Sequence, residues 1–223
     1  MESIKQYWAD LKSAPIQTIA KWQDARFLWL LMGGAALFLV LVAHFLFQDY
    51  IYMAPCEQCV YIRFAFFLMV IGGFIAAINP KQIIVKLIGY GFGFWGIIFG
   101  YMCSAKLNVI HAAAHSDDPF GVQGCSAEPS FPLGLPLDKW LPNWFNPTGD
   151  CGFDTPIPPD GVELSGLRQW FVDYYSEGWY LFPSSHTLNM AQCCEFAFGV
   201  CFILLAAMFA SWIVRDFVLK SHK

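Results

Sequence analysis

Apolar positions along this chain gather into four long runs separated by segments of different character. Residues 27–47 read FLWLLMGGAALFLVLVAHFLF, interrupted only by His44. A second run covers about 60–78 and carries Arg63 near its start. A third covers about 83–102, with Lys86 near its start, and a fourth covers about 196–214. A helix crossing the hydrocarbon core of a bilayer needs about 20 mostly apolar residues, which each run supplies. The pattern predicts an all-α membrane protein, a four-helix transmembrane bundle in up-down-up-down order. Asn79-Pro80 marks a tight turn between the second and third spans, because proline cannot continue the helical ladder. The first run is too long and begins too late for a cleavable signal peptide.

Between the spans lie a short loop, 48–59, and a long one, 103–195. The long loop is acidic and rich in proline and glycine, which predicts turns and short helices rather than a sheet domain. Within it, VELSGLRQWFVDYY (162–175) has helical spacing, with Leu164, Leu167, Phe171 and Tyr174 on one face and Arg168 and Asp173 off it. Such a helix either lies along the membrane surface or caps the ends of the bundle.

Composition narrows the class. The chain is 57% hydrophobic and only 13% charged, against about 25% charged for an ordinary soluble domain. A cytosolic globular enzyme and a disordered chain are both excluded on that ground. The net charge of −4 and the absence of a basic patch give no reason to expect nucleic acid as a partner. Membrane lipid is the partner that the spans imply.

Basic residues set the expected orientation. Lys5, Lys12, Lys21 and Arg26 precede the first span, Lys81 and Lys86 flank the Asn79-Pro80 turn, and Arg215, Lys220 and Lys223 follow the fourth span. Loop 48–59 has no Lys or Arg, and loop 103–195 has only Lys106, Lys139 and Arg168 beside acids such as Asp117, Asp118 and Asp154. Both termini are therefore expected on the cytoplasmic side and both loops outside.

Four of the eight cysteines then fall on the outward side. Cys56 and Cys59 form a Cys-Glu-Gln-Cys motif at the start of the second span; Cys125 and Cys151 sit in the long loop. In a bacterial inner membrane that side is oxidising, which favours disulfides over metal ligation. A CxxC at a helix start brings its sulfurs within bonding reach, and the helix N-terminus favours a thiolate. Arg63 stands one turn deeper on the face of Cys59. A cation there would stabilise a Cys59 thiolate and hold an anionic partner, and a charge inside a span is a functional candidate by default. The plain alternative is an arginine that snorkels to the head groups. Closing the 125–151 loop would stabilise the fold by about 3–4 kcal/mol in the chain-entropy model, although the Pro-rich loop hardly looks packed enough to need a staple.

These residues resemble a known family. Cys56-Glu57-Gln58-Cys59-Val60-Tyr61-Ile62-Arg63 is similar to the CxxC with following Tyr and Arg of the DsbB/DsbI family of membrane thiol oxidases. Leu135-Pro136-Leu137-Asp138-Lys139-Trp140-Leu141-Pro142, then Gly149-Asp150-Cys151, closely match that family's long loop. Length and the extended second loop look most like the DsbI branch. The resemblance implies a multi-pass inner-membrane protein-disulfide oxidoreductase. Such an enzyme reoxidises a periplasmic thioredoxin-like oxidase of DsbA/DsbL type and passes the electrons to ubiquinone or menaquinone. It implies a Cys125–Cys151 disulfide attacked at Cys125, exchange of Cys151 with Cys56, and release of Cys59 as a thiolate beside Arg63. Tyr61 and His111 are its further candidates for the quinone region. About two dozen residues after Cys151 depart from the shorter DsbB pattern before Leu188-Asn189-Met190-Ala191-Gln192, which looks like the family's approach to the last span.

Other features have blander readings. Cys103, Cys193, Cys194 and Cys201 read as small buried hydrophobes, and His44 as a satisfied histidine within the bundle. Pro183-Ser184-Ser185-His186 is only superficially like a lipid-phosphatase element. Gly72, Gly73, Gly89, Gly91, Gly93, Gly96 and Gly100 read as sites of close helix packing. No metal or flavin motif is present. Two competing classes remain: a metal-binding membrane module using Cys56, Cys59 and His111 or His115, and a non-catalytic membrane protein with structural disulfides.

Overall fold

The computed structural model describes residues 9–116 and 124–218. Lys5, Asp117, Asp118, Lys220 and Lys223 of the charge pattern lie outside the described residues. A short helix α1 (Pro15–Trp22) leads into α2 (Arg26–Leu41), which continues as a wider, π-type helix through Val42–Tyr50. Then come α3 (Glu57–Ile78) and α4 (Ile83–Ala114). The long loop holds the short helices α5 (Leu137–Trp140) and α6 (Pro142–Phe145), then α7 (Gly166–Tyr174). It ends in an antiparallel hairpin of β1 (Tyr180–Phe182) and β2 (Thr187–Asn189), paired Tyr180 to Asn189 and Phe182 to Thr187. Last is α8 (Met190–Ile213), extended by Val214–Val218. Four helices are long and apolar enough to cross a membrane: Arg26–Tyr50, Glu57–Ile78, Ile83–Ala114 and Met190–Asp216.

The third helix does not stop at the expected residue 102. Cys103, Leu107 and Ile110 are buried at helical spacing, so one face keeps packing after mean hydropathy falls, and the helix runs on to Ala114. Cys103 and His111 are thus helical residues, and the long loop begins later than the apolar run suggests. The last helix begins earlier than expected, at Met190. Asn189 accepts the Gln192 N–H at 2.8 Å while the Gln192 side chain accepts the Asn189 N–H at 3.1 Å, a reciprocal cap.

α3 is the most enclosed of the four spans and packs against both α2 and α4. Glycine permits these contacts. A Cβ on Gly96 would lie 2.6 Å from the Ala65 carbonyl oxygen, and one on Gly73 would lie 2.7 Å from the Trp29 carbonyl oxygen. Gly91, by contrast, faces open space and has no packing role.

The end of the bundle near α1 is stitched by ions. Lys86, 2% exposed, donates to Asp24 at 2.6 Å, and Arg215 donates to Asp24 at 2.8 Å and to Asp216 at 2.7 Å. Tyr90 donates to Gln23 at 2.7 Å, and the Trp29 indole N–H donates to the Gln23 carbonyl at 2.9 Å. Burial alone would raise the Asp24 pKa; Arg215 and Lys86 outweigh it and hold the carboxyl below the usual carboxylate value.

The opposite end is covered by the long loop, which is packed more firmly than its composition suggests. Phe131 and Phe145 are buried, with Phe131 edge-on to Tyr61 and Phe64, and Phe145 against Phe67. α7 is shorter than its 162–175 pattern, and Leu167, Trp170 and Tyr174 remain exposed on it. Pro183–His186 is the tip of the β hairpin, with His186 in the left-handed region (φ 49) and ion-paired to Glu177 at 2.7 Å.

Candidate active site at the disulfide end

Extended backbone through Pro55 delivers Cys56 to the N-cap of α3, where its Sγ accepts the Cys59 N–H at 3.2 Å. The two Cα atoms are 4.9 Å apart and the sulfurs are bonded. The helix N-terminus therefore acts on Cys56, which is buried, whereas Cys59 is less enclosed and opens into a cavity. Cys125 and Cys151 form the second disulfide, with Cα atoms 5.7 Å apart. Cys151 is buried and Cys125 partly exposed.

Both ends of the 125–151 loop are tied to the CxxC segment. The Ser126 N–H donates to Glu57 Oε2 at 2.9 Å, and the Ser130 N–H donates to the Tyr61 hydroxyl at 2.7 Å. Tyr61 in turn donates to Glu57 Oε1 at 3.1 Å. At the other end, Thr148 and Gly149 N–H both donate to the Pro55 carbonyl, at 2.9 and 3.1 Å. Gly149 is required there, since a Cβ would lie 2.5 Å from the Ala54 carbonyl oxygen. All four bonded cysteines share one apolar cluster.

Arg63 is 5% exposed. Its Nη1 donates to the Trp144 carbonyl at 2.6 Å and to Gln48 Oε1 at 3.1 Å, and its Nε has no partner. It has no carboxylate within ion-pair distance among the described residues. His44 is satisfied as expected, 3.3 Å from Gln48 Oε1 and stacked on Trp144 at 3.8 Å, but it belongs to the support of Arg63 rather than to an anonymous core.

Cys59 and Arg63 line a cavity of about 230 Å³ whose walls are otherwise almost wholly apolar. α2 and its π-type extension, α3 and α8 form the inner walls, while Asp154 and Trp179 enter from the segment after Cys151. That segment is clamped to the short loop. The Ile157 N–H donates to the Tyr52 carbonyl at 3.0 Å, and Arg168 donates to the Tyr52 hydroxyl at 2.9 Å with its guanidinium over the Tyr50 ring at 4.6 Å. Burial pushes the Asp154 carboxyl up to about 6, with His115 pulling the other way.

Of the residues singled out from sequence, Cys56, Cys59, Cys125, Cys151, Arg63 and Tyr61 are brought to this end of the bundle. Tyr61 and His111 do not line the cavity. Tyr61 anchors the loop instead, and His111 sits 3.3 Å from Asn189 and stacks on His115 at 4.3 Å. Cys193 and Cys194 are free and line the cavity, where they were expected to be buried apolar filler. The metal-binding alternative needs Cys56, Cys59 and a histidine to converge. The two sulfurs are bonded to each other, and among the described residues no three His, Cys, Asp or Glu side chains are grouped as a metal site. Glu57, Gln48, Trp144, Asp154 and Trp179 were not foreseen; only Glu57 carried a signal, as an acid within the redox motif.

Two disulfides on segments hydrogen-bonded to one another, one of them opening through Cys59 into a largely apolar cavity of a four-helix membrane bundle, define a thiol–disulfide class of membrane protein. The family model described as disulfide bond formation protein DsbB matches residues 25–208, and the chain belongs to that family. A DsbI relative from Campylobacter fetus subsp. fetus is 64% identical over 210 residues, covering 94% of this chain and 98% of that one. The protein-disulfide oxidoreductase DsbI of Salmonella typhimurium is 59% identical over 220 residues, covering 96% and 98%. That of Escherichia coli O1:K1 / APEC is 58% identical over 217 residues, covering 95% and 97%.

Proposed function

We propose that this protein is a membrane protein-disulfide oxidoreductase that reoxidises a periplasmic thioredoxin-like dithiol of DsbA/DsbL type and delivers the electrons to ubiquinone or menaquinone. The observation that carries the reading is the docking of the Cys125–Cys151 loop on the CxxC segment through Glu57, Tyr61 and Pro55, with Cys59 opening into the apolar cavity. In this reading both termini are cytoplasmic and both loops periplasmic.

The exchange begins at Cys125, the more accessible sulfur of its pair. A partner thiolate attacks Cys125 Sγ, the Cys125–Cys151 bond breaks, and Cys151 leaves as a thiolate. Cys151 attacks Cys56, which breaks the Cys56–Cys59 bond and releases Cys59 as a thiolate. The second partner thiolate resolves the mixed disulfide and releases Cys125 as a thiolate, which attacks Cys151, breaks the Cys56–Cys151 bond and re-forms Cys125–Cys151; Cys56 and Cys59 are left as a dithiol, so one partner dithiol is oxidised and one pair of electrons reaches the cavity. Each transfer needs a thiolate attacker and a stabilised leaving thiolate; Arg63, with no carboxylate within ion-pair distance among the described residues, favours the anion at Cys59.

The cavity fits a quinone in its chemistry. Its walls suit a ring on a prenyl tail, and Arg63 Nε is a buried donor with no acceptor of its own. Arg63 and Cys59 would hold the ring. A bound quinone supplies a sink for two electrons and two protons.

The test is reduction of a short-tailed quinone by the reduced partner in the presence of purified protein. Wild type should turn over, and Cys59→Ser should abolish turnover while still trapping the partner. A single-cysteine partner should be trapped at Cys125. A trapped species that survives Cys125→Ser and is lost in Cys151→Ser would reverse the assignment, and retained turnover in Cys59→Ser would end it.

A further inference from the structure

Among the described residues two buried side-chain nitrogens lack a hydrogen-bond partner: Arg63 Nε and Trp179 Nε1. Both residues line the same cavity, although they come from segments far apart in sequence. A buried N–H left without an acceptor is costly, and neither group can turn itself into an acceptor. Two such donors on one cavity, whose other lining is apolar but for the Asp154 carboxyl, describe a ligand rather than a packing accident.

The placement of Trp179 is built, not incidental. The Gly178 N–H donates to the Tyr175 carbonyl at 3.0 Å, and Gly178 adopts φ +107, a conformation that residues with a Cβ rarely take. The turn sends Trp179 against Phe47, itself a lining residue, with ring centroids 6.0 Å apart, and parallel to Tyr175 at 6.3 Å. The ring is held on its apolar faces while its N–H stays unused.

We propose that the Trp179 indole donates a hydrogen bond to one oxygen of the electron acceptor while Arg63 Nε donates to the other. The ligand class is a flat ring with two carbonyl oxygens, and the binding role falls to the segment between Cys151 and α8. The proposal rests on the reading of the cavity as the quinone site. It makes that segment the outer wall of the acceptor site.

The experiment uses the full-length protein in detergent, with its nine tryptophans labelled at the indole nitrogen and titrated with a decyl-tailed benzoquinone. The Trp179 signal is assigned by its loss in Trp179→Phe. Its indole proton should move downfield and saturate with binding. Affinity should fall about 5- to 10-fold in Trp179→Phe, and equally with benzothienylalanine at 179, which keeps the ring shape and lacks the N–H. If the quinone shields Cys59 from alkylation in the reduced protein, yet the Trp179 signal is still and the sulfur isostere binds like wild type, the Trp179 assignment is overturned and the cavity reading stands. If a saturating quinone neither shields Cys59 nor shifts any indole signal, the cavity reading fails and takes this proposal with it.

Discussion

Just after α1, Asp24 shares its carboxylate between Lys86 of α4 and Arg215 of the extension beyond α8, at 2.6 and 2.8 Å. At the far end of the same bundle Arg63, also buried, meets a side-chain amide and a backbone carbonyl, and its Nε has no partner. Both ends place cations in apolar surroundings, where an uncompensated charge is costly. One end answers them with carboxylates and Tyr90–Gln23 and Trp29–Gln23 hydrogen bonds. The other gives its cation only neutral acceptors and leaves Nε unused; in the proposed function that cation meets an anion formed during turnover. Charge satisfied in the resting fold holds structure, and the proposed function gives the open charge beside Cys59 a chemical use instead.

The contrast is broken most directly at the satisfied end. Asp24→Asn should destabilise the protein by about 3–5 kcal/mol, because Lys86 stays buried without its anion; thermal unfolding in detergent reads this. The Asp24 pKa is depressed in the fold, so its contribution is present above the ordinary carboxylate range and is lost as pH falls through the lowered value. Acid should therefore loosen this end first, a pattern that hydrogen exchange at α1 would record.

Arg63→Met is the converse. Turnover should fall about 100-fold, while the unfolding temperature should hold or rise, since a buried cation is removed and not its counter-ion. A loss of stability as large as that of Asp24→Asn would erase the distinction between the ends.

Tyr61→Phe sharpens the comparison within the disulfide end. Losing the hydroxyl that joins Glu57 to the Ser130 N–H should cost about 1–2 kcal/mol and expose the Cys125–Cys151 bond to a small thiol reductant faster than in wild type. Unchanged reduction kinetics would show that the loop is held by Phe131 and Phe145 alone.

The smallest effect is expected at Asp154. Its carboxyl is raised to about 6 by burial, so the neutral form suits the fold, and stability is greatest below the ordinary carboxylate value and declines as pH rises through about 6. Asp154→Asn should gain about 1 kcal/mol over wild type near neutral pH, allowing for partial exposure, and nothing near pH 4. Melting curves across that range check the sign.

Much of this was legible in the one-dimensional pattern. Unbroken apolar runs announce spans because a bilayer leaves backbone polar groups no partner but a helix of their own. The CxxC with Arg63 one turn on, and the matched loop around Cys151, carried the family resemblance, since those groups are local and spaced by a helix turn. The end of α4 escaped because Cys103, Leu107 and Ile110 form a stripe rather than a run. Lys86 and Arg215 were visible as charges but not as partners of Asp24.

Only the folded chain decided which groups meet. Tyr61 anchors the loop, because Ser130 arrives from a distant segment and donates to its hydroxyl. His44, Gln48 and Trp144 became the cradle of Arg63, and Asp154 and Trp179 became a cavity wall. The physical reason is separation: hydropathy and motif spacing report on neighbours along a helix, whereas a cavity's donors are set by contacts between residues more than a hundred positions apart, as Arg63 and Trp179 are.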